Sequence, residues 1–207
     1  MKTIEKFMNY RLLALLFAAF AITSCSDDDD APEEEEELEV ITNVTLIFTN
    51  DADSSDEVRA RAVDSDGLGT AELEVLDEIT LAADTQYTLT FEILNALDPD
   101  DVEDIGDEIK DEDDEHQIFF SFTEDAFDSP GGNGNIDTAS DPINYNDQDE
   151  NGNPVGLSTS WTTPASGTTT DGTFTVILQH QPGEKTSTSG TDIGEDDFTL
   201  EFVLNIE

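Results

Sequence analysis

Apolar and polar residues alternate with a period of two in short segments along the chain, the spacing that turns one face of a β-strand towards a core. Clusters of Gly, Asp, Asn and Pro separate the segments, and β-branched residues and Phe are frequent within them. The pattern predicts an all-β fold with a single antiparallel β-sandwich of immunoglobulin-like type. The predicted strands are Leu38–Thr49, Val58–Val63, Ala71–Leu76, Gln86–Leu94, His116–Phe122, Leu157–Thr162, Thr173–His180 and Phe198–Ile206.

One acidic stretch departs from this alternation. Asp98-Pro99 has the residue types of a helix N-cap and first helical position, and acids follow in the first turn. Val102, Ile105 and Ile109 then recur at helical spacing. We expect a short helix over about residues 99–111, lying on the sandwich; the alternative is an acidic loop over the same residues.

The N-terminal residues have the organisation of a bacterial lipoprotein signal. A basic start precedes the apolar run Leu12–Ile22, which is too short to span a bilayer as a helix. Small residues then lead to Cys25, the single cysteine of the chain. We predict a signal peptide over residues 1–24 and acyl chains on Cys25, which would anchor the protein stably. The alternatives are an ordinary cleaved secretory signal and an uncleaved anchor.

An acidic segment follows the cysteine. The runs Asp27–Asp30 and Glu33–Glu37 repel themselves, so residues 25–37 are predicted to form a lipidated, extended stalk. Residues 38–207 remain for the β-sandwich domain and are enough for one core. Because no second cysteine exists, the domain is predicted to fold without disulfides and without a thiol-based metal site.

The net charge excludes some classes of partner. The chain has 51 acidic and 7 basic residues, a formal charge of −44. Phosphate binding needs a basic face, so no nucleic-acid partner is expected, and adhesion to anionic lipid is equally disfavoured. Salt or bound Ca²⁺ would relieve the self-repulsion. The simpler alternative is that the acidic surface only keeps the protein soluble.

An Asp-rich segment is the best candidate for metal binding. Asp147, Asp149 and Asn151, followed by Gly152, match the first half of an EF-hand calcium loop. The bidentate Glu that would complete an EF-hand is replaced by Ser158, so a loop between strands with remote acids is the expected form. The alternative is an ordinary Asp-Gly turn. The candidate Ca²⁺ ligands are Asp147, Asp149 and Asn151, with Asp64 and Asp66 as a second, weaker set.

Two histidines are candidates for a different metal. His116 and His180 fall at strand ends, on the sides that face the core. If those ends are adjacent, the two imidazoles, beside Glu115 or Glu184, could ligate Zn²⁺ or Cu²⁺. The alternative is that each imidazole is a hydrogen-bonded strand-end residue, because the spacing carries no metal signature.

Nothing in the sequence indicates catalysis. No G-x-S-x-G, H-E-x-x-H or phosphate-binding loop occurs, and carboxylate pairs are too frequent to mark a site. The protein is therefore predicted not to be an enzyme. Trp161 is predicted to belong to the core, the usual place of a lone Trp in a sandwich, with sugar stacking as the alternative.

Several segments together are similar to a group of short flavobacterial surface lipoproteins, often labelled type 1 periplasmic binding fold superfamily proteins. They are the lipobox with Asp27–Asp30, Asp113–Phe120, Tyr145–Asp147 and Asn151–Leu157. The label implies a two-lobed α/β fold, whereas this chain lacks alternating strand and helix patterns and is too short for two lobes. The Asp run resembles the export signal that sends Bacteroidota lipoproteins to the outer face of the outer membrane. The resemblance implies a TonB-dependent outer-membrane receptor as partner.

The predicted function is that of a non-enzymatic cell-surface lipoprotein, lipid-anchored at the outer membrane. It would serve as a binding or accessory module of an outer-membrane uptake system, with Ca²⁺ stabilising its loops. Two alternatives remain: a Zn²⁺ or Cu²⁺ capture lipoprotein that uses His116 and His180, and a purely structural envelope protein.

Overall fold

Alternation of apolar and polar side chains builds the observed strands. In the computed structural model, which describes residues 40–64 and 73–207, ten strands and one seven-residue helix form. The elements are β1 (Asn43–Asn50), β2 (Asp53–Val63), β3 (Glu74–Val75), β4 (Ile79–Leu81), β5 (Gln86–Asn95), β6 (Glu103–Asp104), α1 (Ile105–Asp111), β7 (His116–Phe122), β8 (Ser158–Thr162), β9 (Thr169–His180) and β10 (Glu195–Ile206). Each predicted strand segment overlaps an observed strand, while β4 and β6 were not predicted as strands.

The strands form two sheets, and the predicted all-β sandwich is confirmed. The first sheet has the order β3-β2-β1-β5-β6, and β8 pairs with another part of β5. The second has the order β4-β10-β9-β7. Every strand pair is antiparallel except β4 with β10, which is parallel.

The core lies between the sheets and is rich in aromatic rings. Phe48 of β1 contacts Phe174 of β9 with ring centroids 5.7 Å apart, so side chains of the two sheets interdigitate. Trp161 is only 1% exposed and lies 4.8 Å from Phe127, measured between ring centroids. The prediction that Trp161 belongs to the core is confirmed, and a ring buried to this extent has no face on which a sugar could stack.

Several predictions concern residues that the structure does not describe. The signal peptide over residues 1–24, the lipidated Cys25, the stalk over residues 25–37 and the calcium candidate Asp66 lie outside the described residues. The described residues belong to one unit, Leu38–Glu207. Within residues 40–64 and 73–207, no helix has the length and apolar character needed to cross a membrane.

The predicted helix exists, but its predicted start was wrong. α1 begins at Ile105 and is capped by Asp104, whose carboxylate accepts a hydrogen bond from the backbone N–H of Asp107. Asp98 instead closes a turn, because its carboxylate and its carbonyl accept hydrogen bonds from Asp100 and Asp101. The residues between that turn and α1 pair with the end of β5, and this tertiary pairing overrides the local helix signal.

A long loop covers the outer side of β7. Phe120 donates its backbone N–H to Asn135 Oδ1 over 2.9 Å, and the Tyr145 hydroxyl donates to the carbonyl of Ile118 over 2.7 Å. The Ile118 N–H in turn donates to the carbonyl of Val155 over 2.7 Å. These bonds satisfy backbone groups that an edge strand would otherwise leave open. The side chains of β7 are also buried on both faces, with Ser121 half-buried.

Gly134 permits the close approach of this loop, and its substitution should destabilise the fold. A Cβ at Gly134 would overlap the carbonyl oxygen of Phe120, on a backbone with φ of 95°. We expect Gly134→Ala to cost about 3 kcal/mol or more of unfolding free energy in denaturant titrations.

Gly132→Ala is the matched control for that substitution. Gly132 has a similar φ of 90°, but nothing lies within 4 Å of the added Cβ, so only the backbone strain remains. A loss of about 1 kcal/mol is expected there. Equal losses for the two variants would contradict the packing explanation.

Candidate functional site

The two histidines meet at one end of the second sheet. His116 is the first residue of β7 and His180 the last residue of β9, and they lie directly opposite in the antiparallel register. Their rings stack, with centroids 4.6 Å apart and planes inclined by 8°. The adjacency on which the metal hypothesis depended is therefore present.

Two carboxylates flank the histidine pair. Glu115 Oε2 lies 3.4 Å from His180 Nε2, and Asp197 Oδ2 lies 3.8 Å from His116 Nε2. Of the two acids predicted beside the histidines, Glu115 takes this place, whereas Glu184 lies in the turn that follows β9. Asp197 was missed by sequence reasoning because it sits at a register shift of β10, where a bulge aims its side chain inward.

Burial governs protonation at this site. The side chains of His116 and Asp197 are 0% and 1% exposed, respectively. Loss of hydration lowers the pKa of the His116 imidazole to about 4 and raises the pKa of the Asp197 carboxyl to about 6. His116 Nδ1 lies 3.2 Å from the Glu112 carbonyl, so Nδ1 carries the proton and Nε2 faces Asp197 in the neutral tautomer.

A buried lysine lies beside the histidines. Lys185 Nζ donates hydrogen bonds to the backbone carbonyls of Asp113 and His116, the latter over 2.7 Å. The same ammonium lies 3.7 Å from Asp149 Oδ2, and both side chains are 0% exposed. Burial lowers the pKa of Lys185 below its ordinary value, although the charges of Asp149 and Asp113 act in the opposite direction.

Asp147 uses both carboxylate oxygens inside its own loop. Oδ1 accepts a hydrogen bond from the backbone N–H of Gly156 over 2.9 Å, and Oδ2 accepts one from Ser158 over 3.0 Å. Burial raises the pKa of Asp147 above its ordinary value, and these hydrogen bonds oppose the rise. The carboxylate therefore fixes the return of the chain into β8.

Asp149 organises the tight turn that contains Asn151. Its Oδ1 accepts from the backbone N–H groups of Asn151 and Asn153 over 2.9 and 2.8 Å, and Oδ2 accepts from Asn153 Nδ2 over 2.9 Å. Burial opposes ionisation of Asp149, but the bonds from Asn153 and the charge of Lys185 hold its pKa below the ordinary value. The predicted calcium ligands thus lie together in one loop whose carboxylate oxygens already accept hydrogen bonds. Calcium binding there stays a prediction.

The weaker calcium candidate lies elsewhere. Asp64 follows β2 directly, and its backbone N–H donates to the carbonyl of Thr42 over 2.8 Å. Because Asp66 is outside the described residues, the Asp64 set also stays a prediction. Among the described residues, no three His, Cys, Asp or Glu side chains are grouped so that they could hold a metal ion.

Two open grooves lie at strand ends and in loops. One has a volume of about 510 Å³ and the other about 310 Å³. Neither has an aromatic side chain in its lining, which a sugar-binding groove usually offers for stacking. The first is lined by Asn50, Asp51, Ala52, Asp84, Thr85, Gln86 and Thr162, and the second by Thr80, Thr168, Thr169, Thr170, Asn205, Ile206 and Glu207.

Comparison with protein families, with curated proteins and with solved structures finds no match for this chain. Functional inference therefore depends on the N-terminal sequence pattern and on the geometry of the described domain. The cluster of His116, His180, Glu115 and Asp197 brings four ionisable side chains of three strand ends together, and it is the candidate functional site.

Asp197→Asn should stabilise the protein near neutral pH. A carboxyl whose pKa rises to about 6 on folding destabilises the folded state above that pH, and this cost disappears as the pH falls towards the ordinary value of 3.8. Each unit of pKa shift corresponds to about 1.4 kcal/mol, so we expect a gain of up to about 3 kcal/mol near pH 8. Thermal melts across pH measure it.

The stability of Asp197→Asn, measured against pH, should also reveal the contribution of His116. Because folding lowers its pKa to about 4, this histidine stabilises the fold above its ordinary value of 6.5 and loses that contribution as the pH falls. Asp197 offsets this loss in the wild type, so Asp197→Asn should lose stability more steeply on acidification. Asp196→Asn, at an exposed position, is the control, and identical profiles for the two variants would contradict the assignment.

Proposed function

We propose that the protein is a lipid-anchored, non-enzymatic lipoprotein of the outer membrane, exposed at the cell surface. Its β-sandwich would act as a binding or accessory module of an outer-membrane uptake system, with a TonB-dependent receptor as partner. The observation that carries the anchor is the lipoprotein-type signal sequence that leads to Cys25. The role of a module that binds at its outer surface is supported by the filled interior of the sandwich. The rings of Phe120, Trp161 and Phe174 contact one another there with centroids 5.1 to 6.1 Å apart, so a ligand would meet the outer surface and its loops.

The arrangement of the few basic residues supports a cationic partner surface. Arg59 is paired with Glu92 at 2.9 Å and Arg61 with Asp77 at 2.6 Å. Lys185 is buried, whereas Lys110 is exposed on α1. The described surface is therefore dominated by carboxylates, and electrostatic complementarity favours a basic patch on the partner or cations between the two surfaces.

Protease added to intact cells tests the surface location. We expect external protease to remove the protein from intact cells at the same protease concentration that removes it from lysed cells, because the domain would lie outside the outer membrane. A periplasmic protein measured in the same cells reports that the membrane stays closed. Protection in intact cells combined with digestion after lysis would contradict the proposal.

Cys25→Ala is the matched variant for the anchor. It removes the only thiol, so incorporation of labelled fatty acid should be lost and the protein should leave the membrane fraction. Unchanged labelling of this variant would show that the lipid is attached elsewhere.

A second candidate function is the capture of Zn²⁺ or Cu²⁺. The observation that favours it is the register of β7 and β9, which brings His116 and His180 together beside Glu115 and Asp197. The stacked rings do not converge on one point, so metal binding would require a ring to turn. Two imidazoles and two carboxylates are ligands that Zn²⁺ accepts.

Calorimetric titration with Zn²⁺ and Cu²⁺ distinguishes this candidate. We expect His180→Gln to weaken metal affinity at least tenfold, because one of two imidazole ligands is removed while the partly exposed position tolerates the change. Glu184→Gln, outside the cluster, should leave affinity unchanged. Equal metal affinity of the wild type and of His180→Gln would contradict the metal-capture function. It would favour the binding or accessory module or a purely structural envelope role.

A further inference from the structure

The strongest unexplained feature outside the histidine pair is the buried Lys185. An ammonium group has three N–H donors, and three acceptors surround this one: the carbonyls of Asp113 and His116 and, at 3.7 Å, Asp149 Oδ2. Burying a charged amine is costly unless it is paired and hydrogen-bonded. Two carbonyl acceptors and one ion-pair partner therefore surround the buried ammonium.

The loop next to this lysine has the sequence pattern of a calcium loop. In such loops a cation balances the clustered carboxylates and holds the turn closed. Here hydrogen bonds from Asn151 and Asn153 close the turn around Asp149. The ammonium of Lys185 already lies against Asp149 Oδ2. No other basic side chain is recorded against Asp149 among the described residues.

We infer that Lys185 is the built-in cation of the Asp147–Asn153 loop, balancing the Asp149 carboxylate in the role that the sequence pattern assigns to Ca²⁺. The loop then closes without a metal. This inference does not depend on the proposed function. In the loop that was predicted to be stabilised by Ca²⁺, the ammonium of Lys185 takes the place of the metal.

The same lysine couples two regions of the structure. Its bonds to Asp113 and His116 hold the segment that leads from α1 into β7, and its charge holds the Asp149 turn. Loss of the ammonium should therefore loosen residues 113–116 and residues 147–153 together. A lysine that only filled space would not link the order of these segments.

A double-mutant cycle tests the inference in the detergent-solubilised full-length protein. Lys185→Met keeps most of the side-chain volume but leaves Asp149 buried without its cation, so we expect the midpoint of thermal unfolding to fall by roughly 10 °C. Adding Asp149→Asn removes the stranded charge. The double variant should therefore be more stable than Lys185→Met alone.

Lys110→Met is the matched control, because Lys110 lies exposed on α1 and should change the midpoint by only about 1 °C. If Lys185→Met does not fold, recovery of folding in the double variant reports the coupling, because the second substitution removes the buried charge that the first one strands, and failure of both variants to fold would contradict it. Hydrogen exchange should show residues 113–116 and 147–153 losing protection together in Lys185→Met but not in Lys110→Met.

Calcium provides the decisive contrast. At fixed ionic strength, the wild-type midpoint should be the same with Ca²⁺, with Mg²⁺ and with chelator, since the cation position is already filled. A calcium-selective rise in the wild type that Asp149→Asn abolishes would overturn the inference. Additive effects of Lys185→Met and Asp149→Asn would overturn it as well.

Discussion

The pairing of β7 with β9 is the contact on which the end of the sandwich that carries the two histidines depends. It sets His116 opposite His180, and it aligns Phe120 and Phe122 with Val176 and Phe174 in the core. Since a slip of one residue would exchange the two faces of β7, the apolar residues and the histidines are fixed by the same register. The loop that covers β7 adds to this constraint, because its bonds to the strand would be broken by any shift.

Burial of a carboxylate in so acidic a protein is costly because the group loses its hydration and few cations are near. Three buried carboxyls reduce this cost in different ways. Asp147 is solvated by backbone N–H groups of the chain that leads into β8. Asp149 has backbone donors and the ammonium of Lys185. Asp197 lies between β10 and the histidines, and burial favours its protonated form. Because burial raises the pKa of Asp197 to about 6, this carboxyl gains or loses its charge near neutral pH, and proton concentration acts on the fold at the histidine end.

Local patterns predicted the strands well because burial mostly alternates where the sequence alternates, as along β10, although β7 is buried on both faces. The bounds of β7 were predicted to the residue, and Trp161 was correctly assigned to the core. The start of α1 was missed because the Asp98-Pro99 signature serves a turn, and pairing with β5 decides where the helix begins. Asp197 and Lys185 could not be foreseen, since a bulge and contacts between residues far apart in the chain position them.

A domain without disulfides has to order its loops by other means, and here polar side chains bonded to backbone do so. Asn135 and Tyr145 hold the loop over β7, while Lys185 joins the Asp149 turn to the start of that strand. Because the interior is filled with rings, the proposed binding role would place a partner at these loops or at the sheet surfaces. Loops that are bonded to a common strand lose little entropy on binding, which suits a module that presents a fixed, acidic surface to a partner.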